Sequence, residues 1–475
     1  MKLLARTAAA LAAMAVLLTA CNKDKDSGSI RFDRPALYLT AGHTASVGFA
    51  LADVDSRTLS VTSKPAGWDN IEVNAAEKTL TVTAPAAVED ETASSGSVVL
   101  SGTGNGGIVS ATLFVGIAAR KDLSACPANS YLANEKETEY VFDALHKGDG
   151  RTELATARLE IIWQTESGLV QYLHFDGGKG SFYIGADADD ETRIKDGNAL
   201  IGAYDAHDNL LWSWHVWAAD FDPEQHPLVL DGCTLMDRNL GARANGHETA
   251  DEILASYGLY YQWGRKDPFI GPSSYNAASG GTSAAMYDGS GTRVSLKMTA
   301  SDAATGTMDY ATQHPLEFIT APDKDADWLQ DGTAARWSAA EKSVDDPCPY
   351  GWRVAPATAF AGLTIQDDVT AEGTDYASQY GWNLGSGTAV SFFAGAGRRN
   401  WRDGAVVNIY DESLPVRALE MQPWVGYYWT SDAEDALSQA FCFWYKADDA
   451  RLGGIRNNRP MGRANGMQVR CVRDE

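Results

Sequence analysis

Between Arg451 and Arg473 the chain carries six arginines and no acid, and Arg398, Arg399 and Arg402 stand a little upstream. A guanidinium is a rigid fork of N–H donors that matches the oxygens of a carboxylate or sulfate. Trp401 and Trp424 lie among Gly and Pro residues, where an indole can stack on a sugar ring or fill a partner's pocket. Arg456, Arg459, Arg463, Trp401 and Trp424 are therefore the candidate ligand-binding residues. Two other fates stay open. The arginines can pair with the chain's own acids, which the composition favours, and the tryptophans can plug a core. Catalytic patterns are missing. The eight histidines are scattered, with no His-Glu-x-x-His, and there is neither a Gly-x-Ser-x-Gly elbow nor a phosphate-cradling Gly-Lys-Ser/Thr. Asp323, Asp325 and Asp327 alternate like a calcium loop, but Trp328 stands where the loop needs glycine and Ala334 where it needs a bidentate glutamate. A carboxylate pair for glycoside hydrolysis is a spatial feature that sequence does not reveal. No catalytic residue, metal ligand or cofactor is expected, and the reading is a binding protein rather than an enzyme.

The N-terminus carries a different chemistry. Lys2 and Arg6 precede an apolar run, Thr7 to Thr19, too short for the roughly 20 residues that span a bilayer. Leu18-Thr19-Ala20-Cys21 is a lipobox-like end, so residues 1–20 read as a lipoprotein signal peptide and Cys21 as the lipidated residue. Several acyl chains on Cys21 would anchor the protein durably to an outer membrane. Residues 21–29 form a charged, small-residue tether that resembles the surface-export signal of Bacteroidetes lipoproteins, which implies display on the cell surface. Cys126, Cys233, Cys348, Cys442 and Cys471 remain, an odd number with no C-x-x-C pair, so zinc-knuckle and thioredoxin-type sites are not indicated. Cys442 sits in the strand pattern Ala440-Phe441-Cys442-Phe443-Trp444 and reads as a buried thiol. The formal charge of −24 becomes −26 once Lys2 and Arg6 leave with the leader, a field that repels nucleic acid.

The elements that must hold these residues are mostly strands. Over 30–118, apolar and polar residues alternate in Ala36–Leu39, Thr79–Thr83, Ser97–Leu100 and Thr112–Val115, separated by turn clusters, which predicts a β-sandwich resembling an immunoglobulin-like module with Trp68 as a core plug. A second β-rich module spans 124–222. Its clearest unit is a hairpin, Asn198–Tyr204 and Leu210–Trp217, about the turn Asp205–Asn209. Period two puts Trp212, Trp214 and Val216 on one face and Ser213, His215 and Trp217 on the other, so both faces want burial and His215 reads as a core histidine. Residues 223–475 have helix starts at Ala250–Ala255 and after Pro356, and read as α+β.

This last segment also carries ordered blocks. Leu235-Met236-Asp237-Arg238-Asn239-Leu240-Gly241, Tyr257-Gly258-Leu259-Tyr260-Tyr261-Gln262-Trp263-Gly264-Arg265, Asp346-Pro347-Cys348-Pro349-Tyr350-Gly351-Trp352-Arg353, Gly426-Tyr427-Tyr428-Trp429-Thr430-Ser431 and Val469-Arg470-Cys471-Val472 closely resemble the Fibrobacter succinogenes major paralogous domain of Bacteroidetes fimbrial-tip and surface lipoproteins. The resemblance implies a C-type-lectin-like fold whose late strand returns beside the start of the domain, with a Cys348–Cys471 disulfide. It leaves Cys126, Cys233 and Cys442 without an assigned pairing. Calcium-dependent lectins of that fold use Glu-Pro-Asn or Gln-Pro-Asp with Trp-Asn-Asp; Gln422-Pro423-Trp424 and Trp382-Asn383-Leu384 each fail where an acid is needed, so the standard calcium site is not expected. The expectation is a multidomain surface lipoprotein: a sandwich and a β-rich module present a lectin-like head to a glycan or protein ligand, or to pilus subunits. A structural envelope subunit and a carbohydrate-active enzyme or accessory protein are the alternatives.

Overall fold

The structure is a computed structural model that describes residues 28–86, 94–275, 282–331, 336–368, 370, 379–407, 424–434, 437–446 and 449–474. The leader, Cys21 and most of the tether lie outside the described residues. The chain divides into two compact units, Met1–Ala119 and Arg120–Glu475.

In the first unit, residues that alternate in sequence pair into two four-stranded sheets. One has the order Ser29–Phe32, Thr44–Ala52, Thr79–Thr83, Ile71–Asn74; the other Ala36–Leu39, Gly107–Ile117, Ser95–Gly104, Val54–Ser63. Because side chains alternate between faces, Val47, Phe49, Leu80 and Val82 of the first sheet meet Leu37, Val98, Leu100, Leu113 and Val115 of the second in one core, with Trp68 fully buried among them. Gly104 pairs with Gly107, leaving a two-residue loop of Asn105-Gly106, the pair that tight hairpins favour. This unit is a β-sandwich.

In the second unit, the Gly197–Tyr204 and Leu210–Ala218 hairpin is the centre of a six-stranded sheet. Asp205 Oδ1 accepts from the backbone N–H groups of His207 and Asn209 and so shapes the turn. Trp212, Trp214 and Val216 face one core, where Phe142 packs on Trp214 with ring centroids 5.2 Å apart, while Trp217 faces another. His215 is fully buried between Ser130 and Asn198. Asn198 gives its amide N–H to Gly241 O, so its oxygen accepts from His215 Nε2, and Nδ1 is left to accept from Ser130. Burial pulls this imidazole down to about 3, so it is a neutral hydrogen-bonding strut.

Trp163, Leu200 and Trp217 share one hydrophobic cluster with Met236, Trp263, Trp352, Cys348 and Cys471, so residues on both sides of position 222 build the same core. Near the chain end, Cys471–Arg473 pairs with both Cys233–Met236 and Trp352–Val354, with Leu235 opposite Val472 and Val354 opposite Cys471. Cys348 and Cys471 are disulfide-bonded across 123 residues. A larger sheet has the order Val406–Val407, Arg398–Arg399, Gly466–Val469, Trp424–Glu434, Leu437–Lys446, Asp449–Gly462.

The expected α+β character of this segment does not hold. Strands make up 49% and helices 4% of the structure, and the helices whose full spans lie among the described residues of this segment, Ala250–Ala255 and Met308–Gln313, are six residues each. Thr249 caps the first by accepting from Glu252 N–H, but six residues complete less than two turns. The stretch after Pro356 closes only a 3₁₀ turn, Ala357–Phe360, before Gly362 takes a φ of 86°. The segment is apolar with period two, and that favours strands whatever its helix starts promise.

Candidate functional site

The five candidate binding residues part company in the structure. Arg463 is wholly buried: its Nη1 sits 3.1 Å from Asp327 Oδ2, its Nη2 donates to Leu437 O and its Nε to Ser438 Oγ, and the guanidinium lies 4.5 Å from the Trp263 ring centroid. It holds the core together and has no face for a ligand. Trp401 is half-buried against the cluster of Ala311, Ile319, Trp328 and Ala464, with Arg402 stacked on its ring at 5.2 Å. Trp424 and Arg459 come together from the two strands that flank Leu437–Lys446, with Arg456 on the same strand as Arg459.

Strand alternation alone would separate them. Arg456 and Arg459 are three residues apart, and so are Trp424 and Tyr427, so a regular strand would turn each pair to opposite faces. Two β-bulges prevent this. In the outer pair of strands Cys442 opposes Arg456 and Ala440 opposes Arg459, with the register shifting between them. In the inner pair Trp444 opposes Trp424 and Cys442 opposes Tyr427, again with a shift. Ala440, Cys442 and Trp444 are spaced by two and share a face, so Trp424, Tyr427, Arg456 and Arg459 all join it. An extra residue re-aims side chains in this way wherever it is inserted.

Arg398 completes the group from the strand Arg398–Arg399. Arg399 is buried on the carbonyls of Ile270 and Gly404, whereas Arg398 lies 5.7 Å from the Tyr427 ring centroid and reaches Asn465 Oδ1. Arg459 is 4.5 Å from the Trp424 centroid and 5.7 Å from that of Tyr427. Contacts of this kind are worth roughly 0.5–2 kcal/mol and hold a guanidinium flat without consuming its N–H edges. Arg456 is exposed and Arg459 and Trp424 are half-buried, whereas Tyr427, Ala440 and Cys442 are buried in the core, so the face meets solvent at the first three. Beneath it, burial pushes the Cys442 thiol up to about 12, while Arg459, Arg398 and Arg456 pull the other way. That thiol is inert at neutral pH.

No described carboxylate pairs with Arg398, Arg456 or Arg459. Elsewhere in the segment pairing is common: Arg336 and Arg463 share Asp327, Arg353 meets Asp474 and Arg473 meets Glu224. Arg398 Nε, Arg459 Nη1 and Asn457 Oδ1 are shielded from solvent and have no hydrogen-bond partner among the described residues. The arrangement can therefore offer guanidinium donors and one amide acceptor beside aromatic rings. Among the described residues no three His, Cys, Asp or Glu gather closely enough to hold a metal, and no helix is long and apolar enough to cross a membrane. Sequence reading noted Arg398 only as a neighbour and missed Tyr427 and Asn457. The signal that would have found them is strand register, which one sequence does not carry.

No family model matches the chain, and no curated protein matches it. Among solved structures, the I-band fragment I67–I69 of titin is 12% identical, covers 41% of this chain and 66% of that fragment, and has a TM-score of 0.14. The endo-fucoidan hydrolase MfFcnA4_H294Q from glycoside hydrolase family 107 is 12% identical over 42% of this chain and 29% of its own, with a TM-score of 0.15. Mouse clustered PcdhgC3 EC1-3 is 16% identical over 41% of this chain and 67% of its own, also with a TM-score of 0.15. This chain spans less than two thirds of the titin fragment and less than a third of the hydrolase. Likenesses this slight decide neither fold family nor function.

Proposed function

We propose that this chain is a non-enzymatic surface lipoprotein whose C-terminal segment binds a ligand through the Trp424–Arg456–Arg459 face. The lipobox ending at Cys21 would anchor it to the outer membrane, and the N-terminal sandwich, read as immunoglobulin-like, would serve as a stalk. The ordered blocks from Leu235 to Val472 support a member of the Fibrobacter succinogenes major paralogous, C-type-lectin-like family, acting in adhesion or at a pilus tip. The observation that carries the binding reading is the pair of bulges, which turn Trp424, Arg456 and Arg459 to the same side as the buried Tyr427, where the first three reach solvent. Arg398 and Arg459 each keep a shielded N–H with no partner among the described residues, and a buried donor left unpaired is costly unless something else uses it.

A panel of immobilised glycans and host proteins, probed with the full chain, tests this reading. Trp424→Ala and Arg456→Ala are expected to weaken whatever binding is found by tenfold or more, while Trp401→Ala changes it less than twofold. Equal losses in all three, or none, would contradict it. A purely structural subunit is the second reading. It rests on Asp449–Gly462, an edge strand that pairs on one side only among the described strands and could accept a neighbour's strand. That subunit would bind nothing on the panel and would retain its own assembly.

A further inference from the structure

We propose that the face bearing Arg398 and Arg459 receives an oxyanion, a carboxylate or sulfate group, carried on a saccharide. This rests on the binding reading above and adds the chemical class of the ligand. Buried guanidinium N–H groups are almost always paired, and each exception calls for an acceptor that is absent from view. The other arginines with an orphan nitrogen in this unit already hold strong acceptors: Arg265 donates to the carbonyls of Glu317 and Ala311, Arg353 meets Asp474, and Arg158 meets Asp208; the remaining orphan nitrogens among the described residues are the uncharged indole N–H groups of Trp163 and Trp214. Arg398 and Arg459 are different. Arg398 reaches only a neutral amide oxygen, and Arg459 leans on the hydroxyl of Tyr427 and the thiol of Cys442; neither has a described carboxylate, and each keeps a shielded N–H unused.

The two arginines also share a setting. Both approach the Tyr427 ring at 5.7 Å, and together with Arg456 their charges are felt at the same buried thiol. A negative charge is what such a cluster lacks, and no carboxylate among the described residues pairs with it. Asn457 argues for more than a bare ion. It lies between Arg456 and Arg459 at the bulge, and its orphan Oδ1 is an acceptor that only a donor can satisfy. A simple oxyanion has no donor, whereas a sugar hydroxyl next to an acidic group has one. Trp424 and Trp444, both half-buried, give the ring a surface on which to lie.

The test is a titration of the full chain with three polymers of matched length: dextran, dextran sulfate and polygalacturonate. At least one acidic polymer is expected to bind at least tenfold more tightly than dextran, with affinity falling as salt rises. The sulfate and uronate arms identify which oxyanion the site prefers. Arg398→Gln and Arg459→Gln should each remove tenfold or more of that affinity, and the exposed Arg456→Gln, which leaves no buried gap, should remove several-fold with the circular dichroism spectrum unchanged. Failure of both acidic polymers to bind, or binding that all three substitutions leave intact, overturns the proposal. Should dextran bind as tightly as the acidic polymers and only Trp424→Ala abolish it, the binding reading survives and the oxyanion assignment falls.

Discussion

Replacing Cys348 and Cys471 together by alanine is expected to lower the free energy of unfolding by about 4 to 5 kcal/mol on the chain-entropy model. The bond closes a sequence separation of 123 residues with Cα atoms 6.0 Å apart, and both sulfurs are fully buried beside Trp352. Without it, the unfolded chain regains the freedom of a very long loop, and two small gaps open in the core. The final strand is the element at risk. Cys471–Arg473 lies between Cys233–Met236 and Trp352–Val354, so losing its tether loosens the closure of the whole C-terminal segment. Changing both cysteines avoids a stray thiol that could pair with Cys126 or Cys233, which are half-buried and not disulfide-bonded. Denaturant unfolding followed by tryptophan fluorescence would show the midpoint falling, with a steeper slope because the unfolded chain without its cross-link exposes more surface. Coincident midpoints would mean that strand pairing, not the bond, holds the ends together.

A comparable loss, about 3 to 5 kcal/mol, is expected for Asp267→Ala. Lys266 Nζ donates to Asp267 Oδ1 at 2.6 Å, and Ser213 Oγ donates to the same oxygen at 2.6 Å, with the ammonium 4.4 Å from the Trp212 ring centroid. Lysine and aspartate are 2% and 3% exposed, so the pair has no water to fall back on. Burial pulls the lysine down and Asp267 holds it up. Removing the carboxylate leaves a buried ammonium that must either deprotonate or open the structure. Lys266→Met with Asp267→Leu should recover most of the loss, because the penalty belongs to the broken pair and not to the absence of charge. Asp345 adds a pH dependence. Burial raises it from 3.8 to about 6, so the native state holds a proton that the unfolded state has already released between those values. Stability from this group is therefore fully present below about pH 4 and declines by the order of 2–3 kcal/mol as pH rises to about 6. Asp345→Asn should flatten that part of the profile. A profile that keeps its slope would place the titration elsewhere.

Much of the strand framework was legible because alternation is a local signal. Ala36–Leu39, Thr79–Thr83 and the Leu210–Ala218 hairpin needed only their own residues to declare which side faced a core, and Trp68 and His215 followed from that. What depended on distant partners was not legible. Arg463 looked like its neighbours Arg456 and Arg459, yet Asp327, 136 residues away, buries it. The shared face of Trp424 and Arg459 depends on two register shifts, and a one-residue slip inverts every side chain beyond it. The helix start at Ala250 gave the helix Ala250–Ala255, but the one after Pro356 closed only a 3₁₀ turn: caps act locally, and a helix persists only where its apolar face finds a core.

Ligand binding is proposed at the bulged face. Arginine modification by phenylglyoxal, read by peptide mass spectrometry with and without saturating dextran sulfate or polygalacturonate, measures this residue by residue. Protection is predicted at Arg398, Arg456 and Arg459, with Arg57, whose side chain is 87% exposed in the other unit, reacting equally in both conditions. Unchanged modification of the three, or protection confined to other arginines, would contradict it.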